Sequence, residues 1–88
     1  MKKAIITVVG KDTVGIIAKV CVFLAENNVN ILDISQTIVD GYFNMMMVAD
    51  VTNVEFEKIS NGLREVGEGV GVIIRCQRED IFDKMHRI

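Results

Sequence analysis

Apolar and polar positions follow two periods along the chain, and the switches between them mark its elements. Residues 3–9 (Lys-Ala-Ile-Ile-Thr-Val-Val) are rich in β-branched side chains and stop at Gly10, which predicts a buried strand. Residues 10–15 (Gly-Lys-Asp-Thr-Val-Gly) read as a turn feeding a helix, with Asp12 and Thr13 as N-cap candidates. Ile17, Val20, Cys21 and Leu24 then recur at i, i+3, i+4 and i+7, one face of a helix that Ile16 and Phe23 widen. Glu26-Asn27-Asn28 predicts its end, since asparagine tolerates the left-handed C′ conformation nearly as glycine does.

Two apolar-rich runs, 30–39 and 42–51, flank Asp40-Gly41, the strongest short-range signal for a hairpin. In the second run Phe43, Met45, Met47, Ala49 and Val51 share one face; Tyr42, Asn44, Met46, Val48 and Asp50 share the other. Thr52 and Glu55 have capping-box spacing. Phe56, Ile59, Leu63 and Val66 form the stripe of a second helix, for which Gly67 and Gly69 predict the end. Val70, Val72, Ile74 and Cys76 alternate with Gly71, Ile73, Arg75 and Gln77 as a fourth strand. In the tail, residues 78–88, Ile81, Phe82, Met85 and Ile88 fall on one helical stripe. The order β-α-β-β-α-β predicts an α+β, ferredoxin-like sandwich, with a four-stranded antiparallel sheet, two helices on one face and an added C-terminal helix. One domain is expected over residues 1–88, its core spanning 1–77. The second sheet face keeps apolar side chains, so the tail helix or a second subunit is expected to cover it.

Composition narrows the chemistry. Half of the 88 residues are hydrophobic and the net charge is −2, which disfavours phosphate-driven nucleic-acid binding. The apolar runs fall well short of the ~18–20 residues of a membrane span. Two cysteines and one histidine cannot supply a usual four-ligand zinc site. The expectation is a reduced, cytoplasmic domain with no cofactor, no metal and no direct contact with nucleic acid or membrane. The fold hosts many activities, so the residues must decide. The first and last strands lack the stacking aromatics of an RNA-recognition domain, and no Cys-x-x-Cys loop of a metal chaperone is present. The first loop has Lys11 but no arginine with which an acylphosphatase-like enzyme would cradle a phosphate. No nucleophile–base pair or paired carboxylates emerge, so no catalytic residue is assigned and the chain is read as a non-enzyme. His86 reads as a surface residue, Glu55, Glu57 and Lys58 as a solvated helix face, and Cys21 and Cys76 as buried free thiols. At least two of Met45, Met46 and Met47 are expected in the core.

The first loop is the most informative segment. Backbone N–H groups at a helix start favour an anion such as a carboxylate, and Asp12 could meet an ammonium group; together they suit a zwitterionic amino acid. Ordinary turn and cap chemistry is the competing reading of the same residues. Asp12-x-x-Gly15-Ile16-Ile17, followed by a helix and by Val29-Asn30-Ile31, resembles the ACT domain over residues 3–77. Residues 7–12 (Thr-Val-Val-Gly-Lys-Asp), 33–37 (Asp-Ile-Ser-Gln-Thr) and 42–46 (Tyr-Phe-Asn-Met-Met) resemble stand-alone single-ACT proteins related to the glycine cleavage system transcriptional repressor. That resemblance implies a regulatory module, commonly amino-acid-binding, that works as a homodimer and acts on a protein partner. It implies a ligand held between Asp12, Thr13, Val14 and Gly15 of one subunit and Asn30 and Ile31 of its neighbour. Asn28 stands where many relatives have glycine, read as a tolerated C′ substitution. The alternative is a ligand-free interaction subunit assembling through its sheet and C-terminal helix.

Overall fold

The computed structural model describes residues 2–11 and 15–80. The elements are β1 (Lys3–Lys11), α1 (Ile16–Glu26), β2 (Asn30–Val39), β3 (Tyr42–Asp50), α2 (Phe56–Val70) and β4 (Ile73–Arg78). The four strands form one sheet in the order β2-β3-β1-β4, antiparallel throughout. This is the expected ferredoxin-like arrangement, with both helices on one face.

Strand alternation sets the core. Ala4, Ile6 and Val8 of β1 and Phe43, Met45, Met47 and Ala49 of β3 point into the helical layer and are buried. Ile16, Val20 and Leu24 of α1 and Ile59 and Leu63 of α2 close over them. Met45 and Met47 lie in the core and Met46 lies outside it, as the alternation requires. Each large apolar side chain so buried contributes about 1.5–3 kcal/mol of transfer free energy. The hairpin is also as expected. Asp40 and Gly41 both have positive φ, +53° and +80°, as a type I′ turn demands, and Val39 pairs with Tyr42.

Helix α1 ends in a Schellman motif. Asn28 takes φ +59°, the Val29 N–H donates to the Leu24 carbonyl at 2.9 Å, and the Asn28 N–H donates to Ala25 at 3.2 Å. Val29 and Leu24 are both buried, which supplies the apolar contact of that motif. Asparagine thus fills the left-handed position, and its side chain is not required to do more.

The second half of the chain departs from the sequence reading in three places. α2 runs through Gly67 and Gly69 to Val70 and stops at Gly71, whose φ is +77°; the Val72 N–H then donates to the Gly67 carbonyl at 2.9 Å. β4 accordingly starts at Ile73, not Val70. Gly67 is a packing residue: a Cβ there would lie 2.7 Å from the Val72 carbonyl oxygen. The capping box does not form either. Glu55 precedes α2 with no side-chain cap, because the Thr52 hydroxyl is engaged by Asp50 at 2.5 Å. Both cysteines are free but only half-buried, Cys21 at the edge of the α1 stripe and Cys76 on β4. Glu79 and Asp80 enter a helical turn. The rest of the expected tail helix, with Ile81, Phe82, Met85, His86 and Ile88, lies outside the described residues.

β2 is the exception to burial. Ile31 alone packs against the core; from Leu32 to Val39 every residue is exposed. Ile34 and Ile38 pair with the buried Met47 and Phe43, so they sit on the helix side of the sheet, yet they are 45% and 58% exposed. The helical layer covers only the start of this strand, at Ile31.

The two α2 glycines should respond oppositely to alanine. Gly67→Ala must displace a backbone carbonyl and should cost about 1–2 kcal/mol net of its helix-propensity gain. Gly69→Ala has open space around its Cβ and should stabilise by about 0.5–1 kcal/mol. Urea unfolding of both variants checks the pair.

Candidate functional site

The glycines flanking the first loop serve separate purposes. Gly10 lies within β1, and a Cβ on it would come within 2.7 Å of a Val72 methyl. It is glycine because β1 and the segment entering β4 approach closely there. Gly15 has open space around it but takes φ +84°, a conformation that side chains disfavour. It is also the N-cap of α1, so that role falls to neither Asp12 nor Thr13. Asp12, Thr13 and Val14 themselves lie outside the described residues.

With glycine at the cap, no side chain among the described residues satisfies the first amides of α1, and no acidic residue stands in its first turn. The Lys19 N–H closes the first turn on the Gly15 carbonyl at 3.0 Å. The preceding amides of an 11-residue helix are left facing the loop. Their partial positive charge favours an anion.

Asn30 and Ile31 open β2, where Asn30 is exposed and Ile31 half-buried. Register places them far from Gly15. Asn30 pairs with Asp50, and Asp50 with Lys3, at one end of the sheet. Lys11 pairs with Tyr42 at the other end, just before the loop that leads to Gly15. Eight strand steps separate Lys3 from Lys11, about 26 Å. Within a single chain the end of β1 that leads to the loop and the Asn30–Ile31 pair are therefore not brought together.

The Asn30 end carries a polar cluster built on Thr52, whose spacing to Glu55 predicts a capping box instead. The Asp50 carboxylate accepts hydrogen bonds from the Thr52 hydroxyl and from the Thr52 N–H at 3.0 Å; the Thr52 Oγ1 in turn accepts from the Lys2 N–H at 2.9 Å. These bonds, the hydroxyl first and the amide second, hold the Asp50 carboxyl below its ordinary value. The signal in the sequence was Asp-x-Thr, an Asx-turn pattern. On β4, Cys76 packs against the core, and burial pushes its thiol up to about 11. Among the described residues no group of three or more His, Cys, Asp or Glu side chains could hold a metal, and no helix is long and apolar enough to cross a membrane.

A family model for the ACT domain matches residues 2–77. The chain belongs to the ACT domain family. A UPF0237 protein of Bifidobacterium longum is 63% identical over 90 residues, covering 100% of both chains. An ACT domain protein from Streptococcus pneumoniae of known structure is 44% identical, covers 93% of this chain and 94% of that one, and superposes with a TM-score of 0.82. A protein assigned as a glycine cleavage system transcriptional repressor shares the fold at a TM-score of 0.80 and 22% identity, over 88% of this chain and 45% of that one. ACT domains are generally small regulatory, ligand-binding modules rather than catalytic ones; they commonly bind amino acids and dimerise.

Two titrations follow from this geometry. The depressed Asp50 value gives stability that is present above the unfolded carboxylate range and is lost as pH falls through the lower folded value. Acid unfolding of Asp50→Asn should therefore show a shallower loss between neutral and low pH than wild type. Cys76 has the opposite sign: stability should fall as pH rises from 9.0 towards about 11. Cys76→Ala should remove that alkaline loss when thermal midpoints are compared across the range.

Proposed function

We propose that this ACT domain is a regulatory module that binds a small amino acid between two copies of the chain and modulates a protein partner. The observation that carries the reading is the separation of Gly15 from Asn30. Each half has recognition chemistry suited to one zwitterion, yet the whole length of α1, 11 residues and about 16 Å, stands between them in one chain. A two-fold axis through the middle of β2 turns the second copy end over end. Antiparallel pairing of the β2 edges then sets Asn30 of one copy level with Val39, and hence with Tyr42 and Lys11, of the other. The partner's Asn30 and Ile31 come to the loop end of the sheet, beside Gly15 and the free α1 amides.

In this arrangement the ligand carboxylate takes the α1 amides and Gly15. Asp12 meets the ammonium group. Thr13 and Val14 shape the loop, Ile31 walls the site, and the Asn30 amide donates or accepts as the ligand requires. The β2 edge suits the pairing. It is ten residues long, exposed on both faces, and carries no lysine, arginine or proline to block strand addition. A ligand spanning both copies prefers the paired state, which is the differential affinity any regulatory switch needs. The exposed Ile34 and Ile38 also support a second reading, in which the same edge assembles without a ligand.

A thermal-shift panel of the twenty amino acids, run on wild type and Asn30→Ala together, separates the two. A ligand at about 100 times its dissociation constant adds about 2.7 kcal/mol, a shift of order ten degrees for a domain of this size. The expected result is a selective shift that Asn30→Ala abolishes. A flat panel with an intact dimer would transfer the function to the ligand-free assembly.

A further inference from the structure

The sheet has a second free edge, and it differs in chemistry from the first. β4 is six residues long and pairs only with β1, so the outward N–H and C=O groups of alternate residues have no strand partner. Along this edge runs a groove of about 470 Å³. Its wall is Ser60, Arg64 and Glu68 of α2, and Ile74 and Cys76 line it from β4. On the opposite sheet face Ile73, 61% exposed, and Arg75 flank the same edge. In a chain whose net charge is −2, the described arginines all lie along this edge: Arg64 lines the groove, and Arg75 and Arg78 stand on β4 itself. Arg78 lies 3.7 Å from Asp80, whereas neither Arg64 nor Arg75 has an ion pair among the described residues.

We propose that the β4 edge and its groove take an extended acidic segment of a partner protein by strand addition. Backbone pairing along β4 supplies affinity, and alternation supplies specificity. An added strand sends successive side chains to opposite faces, one set towards Arg64 and Ser60 in the groove, the other towards Arg75 and Ile73. Acidic residues meet an unpaired guanidinium on either side, and small apolar ones pack on Ile73 or Ile74. Charge also decides against a second copy as the occupant. Pairing β4 with β4 brings the Arg75 side chains of the two copies together on one face, and like charges across strands are destabilising. The arginines thus protect this edge from self-association and select for an acidic partner, whereas β2 has no such protection. The docking surface is independent of the amino-acid site.

The probe is a fluorescein-labelled octapeptide of the repeat Glu-Glu-Val-Val, which sends glutamates to both faces of an added strand, titrated by anisotropy against the full chain, with backbone amide shifts recorded by NMR. Saturable binding is expected, with shifts centred on residues 73–78 and on α2 around Arg64. Arg64→Glu/Arg75→Glu should weaken it by about tenfold or more and should gain affinity for the lysine–valine version. Both side chains are exposed, so the variant should keep the wild-type thermal midpoint; single Arg75→Glu repeats the test if it does not. Two prolines placed in the glutamate peptide should abolish binding. Absence of saturable binding, shifts mapping to β2, or equal binding of the proline peptide would each overturn the proposal, the last by reducing it to plain attraction of an anion to arginine.

Discussion

Val72 sits where three elements meet with no space for a methyl group on two of them. Gly10 of β1 faces its side chain, Gly67 of α2 faces its carbonyl, and its own N–H closes the end of α2. A second such seam joins the helices, where a Cβ on Gly62 would fall within the ring of Phe23. These close approaches lock α2 to the sheet and α1 to α2. They therefore fix where α1 begins, and with it the direction in which its uncapped amides point. The chemistry proposed at the loop thus depends on packing at the other side of the helical layer.

Local signals that agree with the tertiary structure were readable from the sequence. Asp40-Gly41, the alternation through residues 42–51 and the paired asparagines after α1 each state one conformation, and the fold accepts all of them. Gly67 and Gly69 misled because glycine reads locally as a helix stop. At Gly67 the close approach of Val72 selects glycine for a reason 5 residues downstream that no local pattern expresses. Thr52 misled in the same way: its spacing to Glu55 suits a cap, but Asp50 is nearer and holds it. Of the candidate site, the local motifs were legible, whereas the span between them within one chain is a property of the topology. A strand followed by a crossover helix delivers the next strand to the starting end of the sheet. The end of β1 and the start of β2 must then lie apart in any such unit. That constraint turns a list of site residues from one chain into an argument about two.

In the assemblies proposed above, the two sheet edges divide the work of association. β2 is long, uncharged by base and bare on both faces, the form of an edge that meets its own kind. β4 is short, backed by a helix and marked with arginines, the form of an edge that meets something acidic. Because β1 and β3 separate them, events at one edge reach the other through two rigid, fully paired strands. A module that senses on one side and binds on the other would need no moving loop between them, only a change in the twist that the four strands share.

The position of β4 has a consequence for synthesis. Of the four strands of the sheet, β1 is made first and its neighbour β4 last: Ala4 pairs with Arg78. The β2–β3 hairpin can close locally through its two-residue turn, but β1 keeps an open flank until nearly the whole chain has emerged. At ~5–20 residues per second that wait lasts several seconds. During that time the apolar run of Ile5, Ile6, Val8 and Val9 presents an unpaired edge. A nascent chain stalled or truncated before β4 exposes the strand most prone to pair with a stranger.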